Sequence, residues 1–185
     1  MKKFLWVFCV VMMLSGCGSE LDPMDQAISL RKALQQRECC FVAVITADYG
    51  DKLYTFRMDC RMDAARTLHF TVLEPDTISG ISGTVTADGG KIEFTDTLLT
   101  FPTIADGQIT PVSSPWVVMN TLCSGYIQYC GNDGDGLRIC VNDSYREDAL
   151  TLEIWTNSEL MPVCCEILYG GKRIVTVEIR EFQLM

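Results

Sequence analysis

Residues 39–61 read CCFVAVITADYGDKLYTFRMDCR and contain two β-rich runs on either side of a turn. The first run, residues 39–47, is rich in apolar and β-branched residues. The second run, residues 53–61, alternates between apolar and polar side chains, which is the period of a strand with one buried face. Tyr49-Gly50-Asp51 separates the two runs and is typical of a turn. The stretch therefore predicts an antiparallel hairpin.

The turn also predicts a register for this hairpin. A three-residue loop with Gly50 in the left-handed conformation sets three apolar pairs on one sheet face: Val44 with Phe56, Val42 with Met58, and Cys40 with Cys60. Directly opposed residues have Cβ atoms about 4.5–5.5 Å apart, which is near the separation that a disulfide needs. This register predicts a Cys40–Cys60 disulfide, whereas a two-residue loop would set Cys39 opposite Cys60.

The same alternation recurs along the rest of the chain. Leu68, Phe70 and Val72 form the apolar face of a further strand. More strands are predicted at residues 81–86, 92–94, 97–101, 137–142, 150–155, 163–169 and 174–179. Asp88-Gly89-Gly90 and Gly170-Gly171 are hairpin signals between neighbouring runs.

A helix is predicted before the first strand. Asp22-Pro23 is an N-cap followed by a proline at the first helical position, and apolar residues recur at helical spacing over residues 23–37. Helices combined with runs of antiparallel strands give an α+β fold. We expect a half-open, curled antiparallel β-sheet, an incomplete barrel, that is covered by helices.

A second helix is predicted at residues 114–130. Ser114-Pro115 begins it, and Gly131 follows its last residue as a stop signal. No charged residue occurs between Asp106 and Asp133. We therefore expect this helix to lie across the open side of the sheet, either as a lid or as part of the core.

The N-terminus predicts an export signal. Lys2 and Lys3 precede an uninterrupted run of eleven apolar residues, 4–14, which is too short to cross a hydrocarbon core of about 30 Å. Leu14-Ser15-Gly16-Cys17 follows and resembles the bacterial lipobox. The resemblance implies cleavage after Gly16 and a diacylglyceryl thioether on Cys17. The alternative is an ordinary secretory signal with a chance cysteine.

The chain is thereby predicted to have three segments. Residues 1–16 are a lipoprotein signal peptide, residues 17–22 a lipidated tether, and residues 23–185 a single domain. Two acyl chains suffice for a stable anchor, where one chain would be marginal. We therefore expect a protein at the extracytoplasmic face of the cell membrane, held to the membrane through the diacylglyceryl group on Cys17.

The composition excludes several function classes. Fifteen Lys and Arg against 24 Asp and Glu give a net charge of −9, so nucleic acid is not an expected partner. His69 is the single histidine, and the cysteine spacings match neither a zinc site nor a thioredoxin motif. We expect no metal, no cofactor and no enzymatic activity. The pairing of the other cysteines is left open.

Two stretches of the sequence resemble those of a known protein family. Val72-Leu73-Glu74-Pro75-Asp76-Thr77-Ile78-Ser79-Gly80 leads into the Asp88-Gly89-Gly90 hairpin, and residues 150–182 contain two strands around Tyr169-Gly170-Gly171-Lys172. With the order of elements, they resemble the LolA/LolB-like lipoprotein-carrier superfamily, which includes membrane-anchored lipoproteins of Gram-positive bacteria. The resemblance implies a half-open antiparallel β-barrel whose concave apolar face takes acyl chains, or which serves as a scaffold for a partner.

The concave face is the candidate binding site. Its expected lining comes from three strands and the second helix: Val42, Val44, Tyr54, Phe56, Met58, Leu68, Phe70, Val72, Trp116, Met119, Leu122 and Ile127. One hypothesis is a lipoprotein that binds a lipid or another amphiphile there. The alternative is a structural or regulatory lipoprotein that docks another cell-envelope protein and has a filled core. A cavity between sheet and helices would favour the first, and a solid core the second.

Replacing the lipobox cysteine tests the predicted anchor. Cys17→Ala removes the thiol that would carry the diacylglyceryl group, so the protein should leave the membrane fraction or accumulate as uncleaved precursor. Detergent phase partitioning and the mass of the chain measure both effects. Unchanged processing and partitioning would show that Cys17 carries no lipid.

Overall fold

A computed structural model describes residues 22–48, 50, 52–94, 97–102, 104–105 and 108–185. The predicted signal peptide, Cys17 and the turn residues Tyr49 and Asp51 lie outside the described residues. The described chain has the predicted α+β composition, with helices at two places and strands over most of its length.

The elements agree with most of the predicted boundaries. Helix α1 spans Pro23–Gln36, and helix α2 spans Ser114–Ser124 directly after a 3-10 helix at Pro111–Ser113. The strands are β1 (Cys39–Asp48), β2 (Leu53–Met62), β3 (Leu68–Glu74), β4 (Ser82–Thr86), β5 (Gly89–Phe94), β6 (Thr97–Phe101), β7 (Ile104–Ala105), β8 (Gln108–Ile109), β9 (Tyr126–Asp133), β10 (Gly136–Asn142), β11 (Leu150–Thr156), β12 (Pro162–Tyr169) and β13 (Lys172–Leu184).

Eleven of these strands form one open antiparallel sheet. Their order is β6-β5-β4-β3-β2-β1-β13-β12-β11-β10-β9, so the sheet is not closed and β6 and β9 are its edges. β7 and β8 form a separate two-stranded ribbon. The chain builds one wing, β2 to β6, outward from β1, and the C-terminal strand β13 returns to pair with the other side of β1. The central hairpin therefore joins the two halves of the sheet.

Both helices cover one face of the sheet, which we call the inner face. The Arg31 guanidinium Nε donates to the Leu122 carbonyl at 2.7 Å, and the Gln35 amide donates to the Cys123 carbonyl at 2.7 Å. The Trp116 indole N–H donates to the Arg66 carbonyl in the β2–β3 turn at 2.9 Å. These bonds fix α1, α2 and the sheet to one another. Neither helix is long and apolar enough to span a membrane, nor is any other helix in the described residues.

The inner face carries the hydrophobic core. Alternate side chains of the central and C-terminal strands are buried there: Phe41, Ala43, Ile45 and Ala47 on β1, Met58, Cys60 and Met62 on β2, Leu68, Phe70 and Val72 on β3, and Val175, Val177 and Ile179 on β13. Helices α1 and α2 add Leu30, Leu34, Met119 and Leu122. The other face of the sheet, which we call the outer face, is polar and has no helix packed on it in the described residues.

The β1–β2 register differs from the predicted one by one residue. The last pair of the hairpin is Asp48 with Leu53, so four residues connect the strands and not three. Gly50 has the predicted positive φ, of 87°, and its backbone N–H donates to Asp48 Oδ1 at 2.8 Å. Because side chains alternate along a strand, the additional loop residue turns every β1 side chain to the opposite face relative to β2.

The predicted Cys40–Cys60 disulfide is wrong for this reason. Cys60 lies opposite Phe41, and Cys40 lies opposite Arg61. Cys60 is therefore buried on the inner face, whereas Cys40 is half-buried on the outer face, and every cysteine in the described part of the chain is a free thiol. Burial raises the pKa of the Cys60 thiol well above its ordinary value, which keeps it protonated and unreactive.

Helix α2 is shorter than predicted. It begins at Ser114 as expected, but Gly125 is its C-cap and donates its backbone N–H to the Thr121 carbonyl at 2.8 Å. Residues 126–130 belong to β9, an edge strand that pairs with β10. The aromatic and β-branched residues that follow Gly125 suit a strand better than a helix. Gly131, the predicted stop signal, lies inside β9.

Introducing a charge at a buried position of α2 tests whether this helix is part of the core. Leu122 is 3% exposed between the sheet and α1. Leu122→Asp places an unpaired carboxylate where water cannot solvate it, so the free energy of unfolding should fall by about 3 kcal/mol or more. Urea denaturation measures the change. Ile28→Asp, at a 38% exposed position on α1, is the control and should have a much smaller effect.

Candidate functional site

The outer face of β2 to β5 carries two rows of polar side chains. Because the four strands are in register, one row runs directly across them through Asp59, Thr71, Ser82 and Glu93. The neighbouring row runs through Arg61, His69, Thr84 and Lys91. We call them the Asp59 row and the Arg61 row. The Asp59 row has a carboxylate at each end, and the Arg61 row has a cationic side chain at each end. Rows of opposite charge therefore lie side by side.

A hollow of about 330 Å³ lies over both rows. The full Asp59 row lines it, together with Arg61, His69 and Thr84. We call it the Asp59 hollow. Phe70 and Gly83 complete its lining. Most of the wall is hydroxyls, carboxylates and the Arg61 guanidinium, which bind polar partners by hydrogen bonds and ion pairs.

Gly83 shapes the sheet beneath this hollow. It faces Phe70 across the β3–β4 pair, and a Cβ at Gly83 would lie 2.7 Å from Phe70 Cζ and would also meet the Lys91 carbonyl. The missing side chain leaves room for the Phe70 ring on the inner face. The strands can therefore pack closely at this point while their outer side chains line the hollow.

A second hollow of about 570 Å³ lies beside the first, at the β3–β4 loop. Charged residues such as Arg57, Glu74 and Arg180 line it together with the apolar residues Val44, Phe56 and Pro75. Arg57 pairs with Glu74 at 3.3 Å. The buried Nε of Arg57 has no hydrogen-bond partner within the described chain. We call it the Arg57 hollow. Buried polar atoms are usually hydrogen-bonded, so this guanidinium has unused capacity to donate.

Ion pairs hold the side chains at the end of the Arg61 row. Arg61 Nη2 donates to Glu38 Oε2 at 2.8 Å, and this hydrogen bond raises the pKa of the guanidinium. His69 Nε2 lies 3.0 Å from Asp63 Oδ2, and the Thr67 backbone N–H donates to Asp63 Oδ1 at 2.9 Å. The β2–β3 turn therefore fixes the orientation of His69 at the edge of the Asp59 hollow.

The residues predicted to line a concave cavity lie elsewhere or are tightly packed. Seven of them are between 0 and 7% exposed on the inner face: Met58, Leu68, Phe70, Val72, Trp116, Met119 and Leu122. A side chain that lined an acyl-sized space would expose surface to that space, and these do not. Phe56 and Ile127 are half-buried against the same core.

Three of the predicted lining residues are not in the inner core. Val42 and Val44 point to the outer face, because the β1 register is shifted by one residue. Tyr54 is 48% exposed near the end of the β1–β2 hairpin. The inner face is less filled on the β4–β6 wing, where Ile92 and Phe101 are half-buried and Leu99 is 57% exposed.

The two polar rows were not identified from the sequence. Alternate polar residues of β2 were visible in residues 53–61, but their alignment with β3, β4 and β5 depends on registers that no single strand reveals. The described residues contain no group of three Cys, His, Asp or Glu that could hold a metal ion. The polar rows of the outer face present charged groups, hydroxyls and hydrogen-bond donors and acceptors.

Comparisons with known proteins show remote similarities. No protein-family model and no curated protein matches the chain. An uncharacterized conserved protein from Thermus thermophilus superposes with a TM-score of 0.49 and 11% identity, over 89% of this chain and 88% of its own. A LolA superfamily protein from Nitrosomonas europaea gives 0.44 and 9%, over 86% and 93%. The lipoprotein LppX of Mycobacterium tuberculosis gives 0.42 and 14%, over 86% and 92%.

The Asp63 carboxylate makes the stability of the β2–β3 turn depend on pH. Burial alone would raise its pKa, but hydrogen bonds from His69 and the Thr67 backbone outweigh burial and lower the pKa. Because the pKa of Asp63 is lower in the folded state, its carboxylate stabilises the fold at pH values above its unfolded-state pKa of about 3.9. This stabilisation is lost as the pH falls through the folded-state pKa. Asp63→Asn should therefore lower the urea midpoint at pH 7 and have little effect near pH 2.

The matched control is Asp135→Asn in the exposed β9–β10 turn, which should keep a midpoint close to wild type. Urea denaturation at both pH values makes the comparison. An equal loss of stability for Asp63→Asn at pH 7 and near pH 2 would show that the carboxylate charge is not what stabilises the turn.

Proposed function

We propose that the chain is an extracytoplasmic lipoprotein, anchored through Cys17, that docks another cell-envelope protein on its outer face. The observation that carries this proposal is the contrast between the two faces of the sheet. Beneath α1 and α2 the inner face is filled by the protein's own side chains. The outer face presents hollows of about 330 and 570 Å³ lined mainly by charged and hydroxyl groups, with some apolar residues between them. The domain acts by binding and not by catalysis.

The filled inner face favours docking over storage of a ligand beneath the helices. Trp116, Met119 and Leu122 occupy the space between α2 and the sheet. Opening that space would break the hydrogen bonds from Arg31 and Gln35 to α2 and expose the core. Exposing buried apolar area costs about 25 cal/mol per Å², so an acyl chain entering there must replace contacts that already exist.

The polar rows favour a protein partner over a lipid. Rows of opposite charge side by side select a surface with the complementary pattern and disfavour partners with like charges in those positions. Exposed strands with free polar side chains, such as Asp59 and Thr71, offer hydrogen bonds to an extended segment. The buried Nε of Arg57 supplies a further donor for an acceptor on the partner. An acyl chain would satisfy none of these groups.

A second candidate is an amphiphile bound at the β4–β6 wing of the inner face. Leu99 is 57% exposed there, next to half-buried Ile92 and Phe101. This part of the concave face is not covered by α1 or α2, so an apolar chain could lie on it without displacing a helix. This candidate agrees with the lipid-binding hypothesis drawn from the sequence, but it places the lipid at one edge of the sheet.

Site-specific photocrosslinking in cells tests the docking surface. A benzoylphenylalanine at Thr71, in the Asp59 hollow, should yield a discrete crosslinked adduct with one partner. The same probe at Thr151, on the outer face of β11, is the positional control and should not. Asp59→Arg should reduce the Thr71 adduct at least about tenfold through charge reversal. Asp135→Arg, a matched reversal in an exposed turn, should leave it unchanged.

Native mass spectrometry of the acylated protein separates the two candidates. A docking protein with a filled core should carry only the mass of its own anchor. A bound lipid that is lost on Leu99→Asp would instead support the amphiphile site. Adducts of equal intensity from Thr71 and Thr151, or a Thr71 adduct insensitive to Asp59→Arg, would contradict docking at the two rows.

A further inference from the structure

One margin of the sheet collects exposed apolar side chains. The connections β1–β2, β3–β4, β10–β11 and β12–β13 all lie at this margin, and β9 begins there, because Asp48 pairs with Leu53, Asn142 with Tyr126, and Leu150 with Tyr169. We call it the hairpin margin. Its exposed large apolar residues are Leu53, Tyr54, Ile78, Tyr126, Tyr145 and Tyr169. The opposite margin presents Val163 and Met185.

Two tyrosines of the hairpin margin are held against each other. The rings of Tyr126 and Tyr145 are in contact, tilted by 39° with centroids 3.5 Å apart, although Tyr145 is 80% exposed. The loop that carries Tyr145 is closed by Asp143, whose Oδ1 accepts from the Leu150 backbone N–H at 2.9 Å. Ordered aromatic side chains in full contact with water cost free energy unless another surface covers them.

The chemistry of the margin fits the boundary between lipid headgroups and acyl chains. Tyrosine has an apolar ring and a polar hydroxyl, and it is enriched where one end of a side chain is in hydrocarbon and the other in water. Lys52 and Lys172 are exposed in the two central hairpins of this margin, which also carries exposed acidic residues such as Asp48, Asp76 and Asp148. Their aliphatic stems can cover apolar surface while their ammonium groups reach lipid phosphates.

The N-terminus leaves the domain beside the middle of β9, from which both ends of that strand are within reach. The Cys130 thiol in β9 donates to the Pro23 carbonyl at 3.2 Å, which places the start of α1 against the strand that begins at Tyr126. Four residues of strand span about 13 Å. The five Cα–Cα steps from Cys17 to Asp22 cover at most about 18 Å. An acylated Cys17 can therefore sit in a bilayer that touches the hairpin margin.

We propose that the hairpin margin rests on the phospholipid bilayer, with its tyrosines and Leu53 at the level of the headgroups. This inference rests on the proposed acylation of Cys17. The partner is the lipid surface itself, recognised by apolar and interfacial contacts. The chain carries a net charge of −9, so the contact does not depend on attraction to anionic lipid and should persist at raised ionic strength.

Tryptophan reporters in vesicles test this orientation. The acylated protein is reconstituted into phosphatidylcholine vesicles whose acyl chains carry bromine near the headgroup, a quencher of indole fluorescence. Tyr169→Trp and Val163→Trp place a reporter near the two ends of β12, at positions that are 39% and 37% exposed. Wild-type protein, with Trp116 and Trp155, gives the background. Leu53→Trp is a second reporter at the hairpin margin.

The added emission of Tyr169→Trp should fall about twofold relative to unbrominated vesicles, since interfacial side chains reach about 5–10 Å into the bilayer. Val163→Trp should be unaffected. Equal quenching of both reporters, or none at Tyr169 and Leu53 in protein that floats with the vesicles, overturns the orientation alone. Protein that does not float with the vesicles overturns the anchor and the orientation together. If the Tyr169→Trp reporter is shielded in native membranes but not in the vesicles, a protein covers the hairpin margin. That outcome also overturns the proposed contact with lipid.

Discussion

The pairing of β1 with β2 is the constraint on which the rest of the molecule depends. β1 is the strand that joins both wings of the sheet, so its register decides which side chains face the helices. With four residues between Asp48 and Leu53, Phe41, Ala43 and Ile45 point inward together with Met58 and Cys60. A change of one residue in that loop would exchange the core and solvent faces of β1. The packing of α1 and α2 follows from this choice.

Three further registers, from β2 to β5, align the polar side chains of the outer face. The two polar rows exist because β2, β3, β4 and β5 pair in continuous alignment, and because Gly83 removes a side chain where Phe70 needs space. Side chains that are far apart in sequence, such as Asp59 and Glu93, are thereby brought into one surface. The core side chains thus lie on the inner side of the sheet, and the proposed docking surface lies on the outer side.

Most strands and the first helix could be predicted from the sequence, because alternation and capping are local signals. The length of the loop between Asp48 and Leu53 could not be predicted in this way. Adding or removing one polar residue in the loop leaves the alternation of both strands unchanged. The second helix was predicted to extend through residues 126–130, which form an edge strand instead. A run of uncharged and largely apolar residues fits a buried helix as well as a strand. Whether Trp116 and Leu122 line a cavity or fill it depends on volumes that only the assembled fold determines.

The position of α1 also has a mechanical consequence. A pull on the N-terminal end of the chain enters the described fold at the first turn of α1, where the Pro23 carbonyl accepts a hydrogen bond from the Cys130 thiol. Behind it, Leu30, Leu34, Arg31 and Gln35 hold the helix against α2 and the sheet. The helix therefore lies between the N-terminal end and the sheet, so that a load must overcome its buried leucines and its two hydrogen bonds to α2 before it reaches the strands.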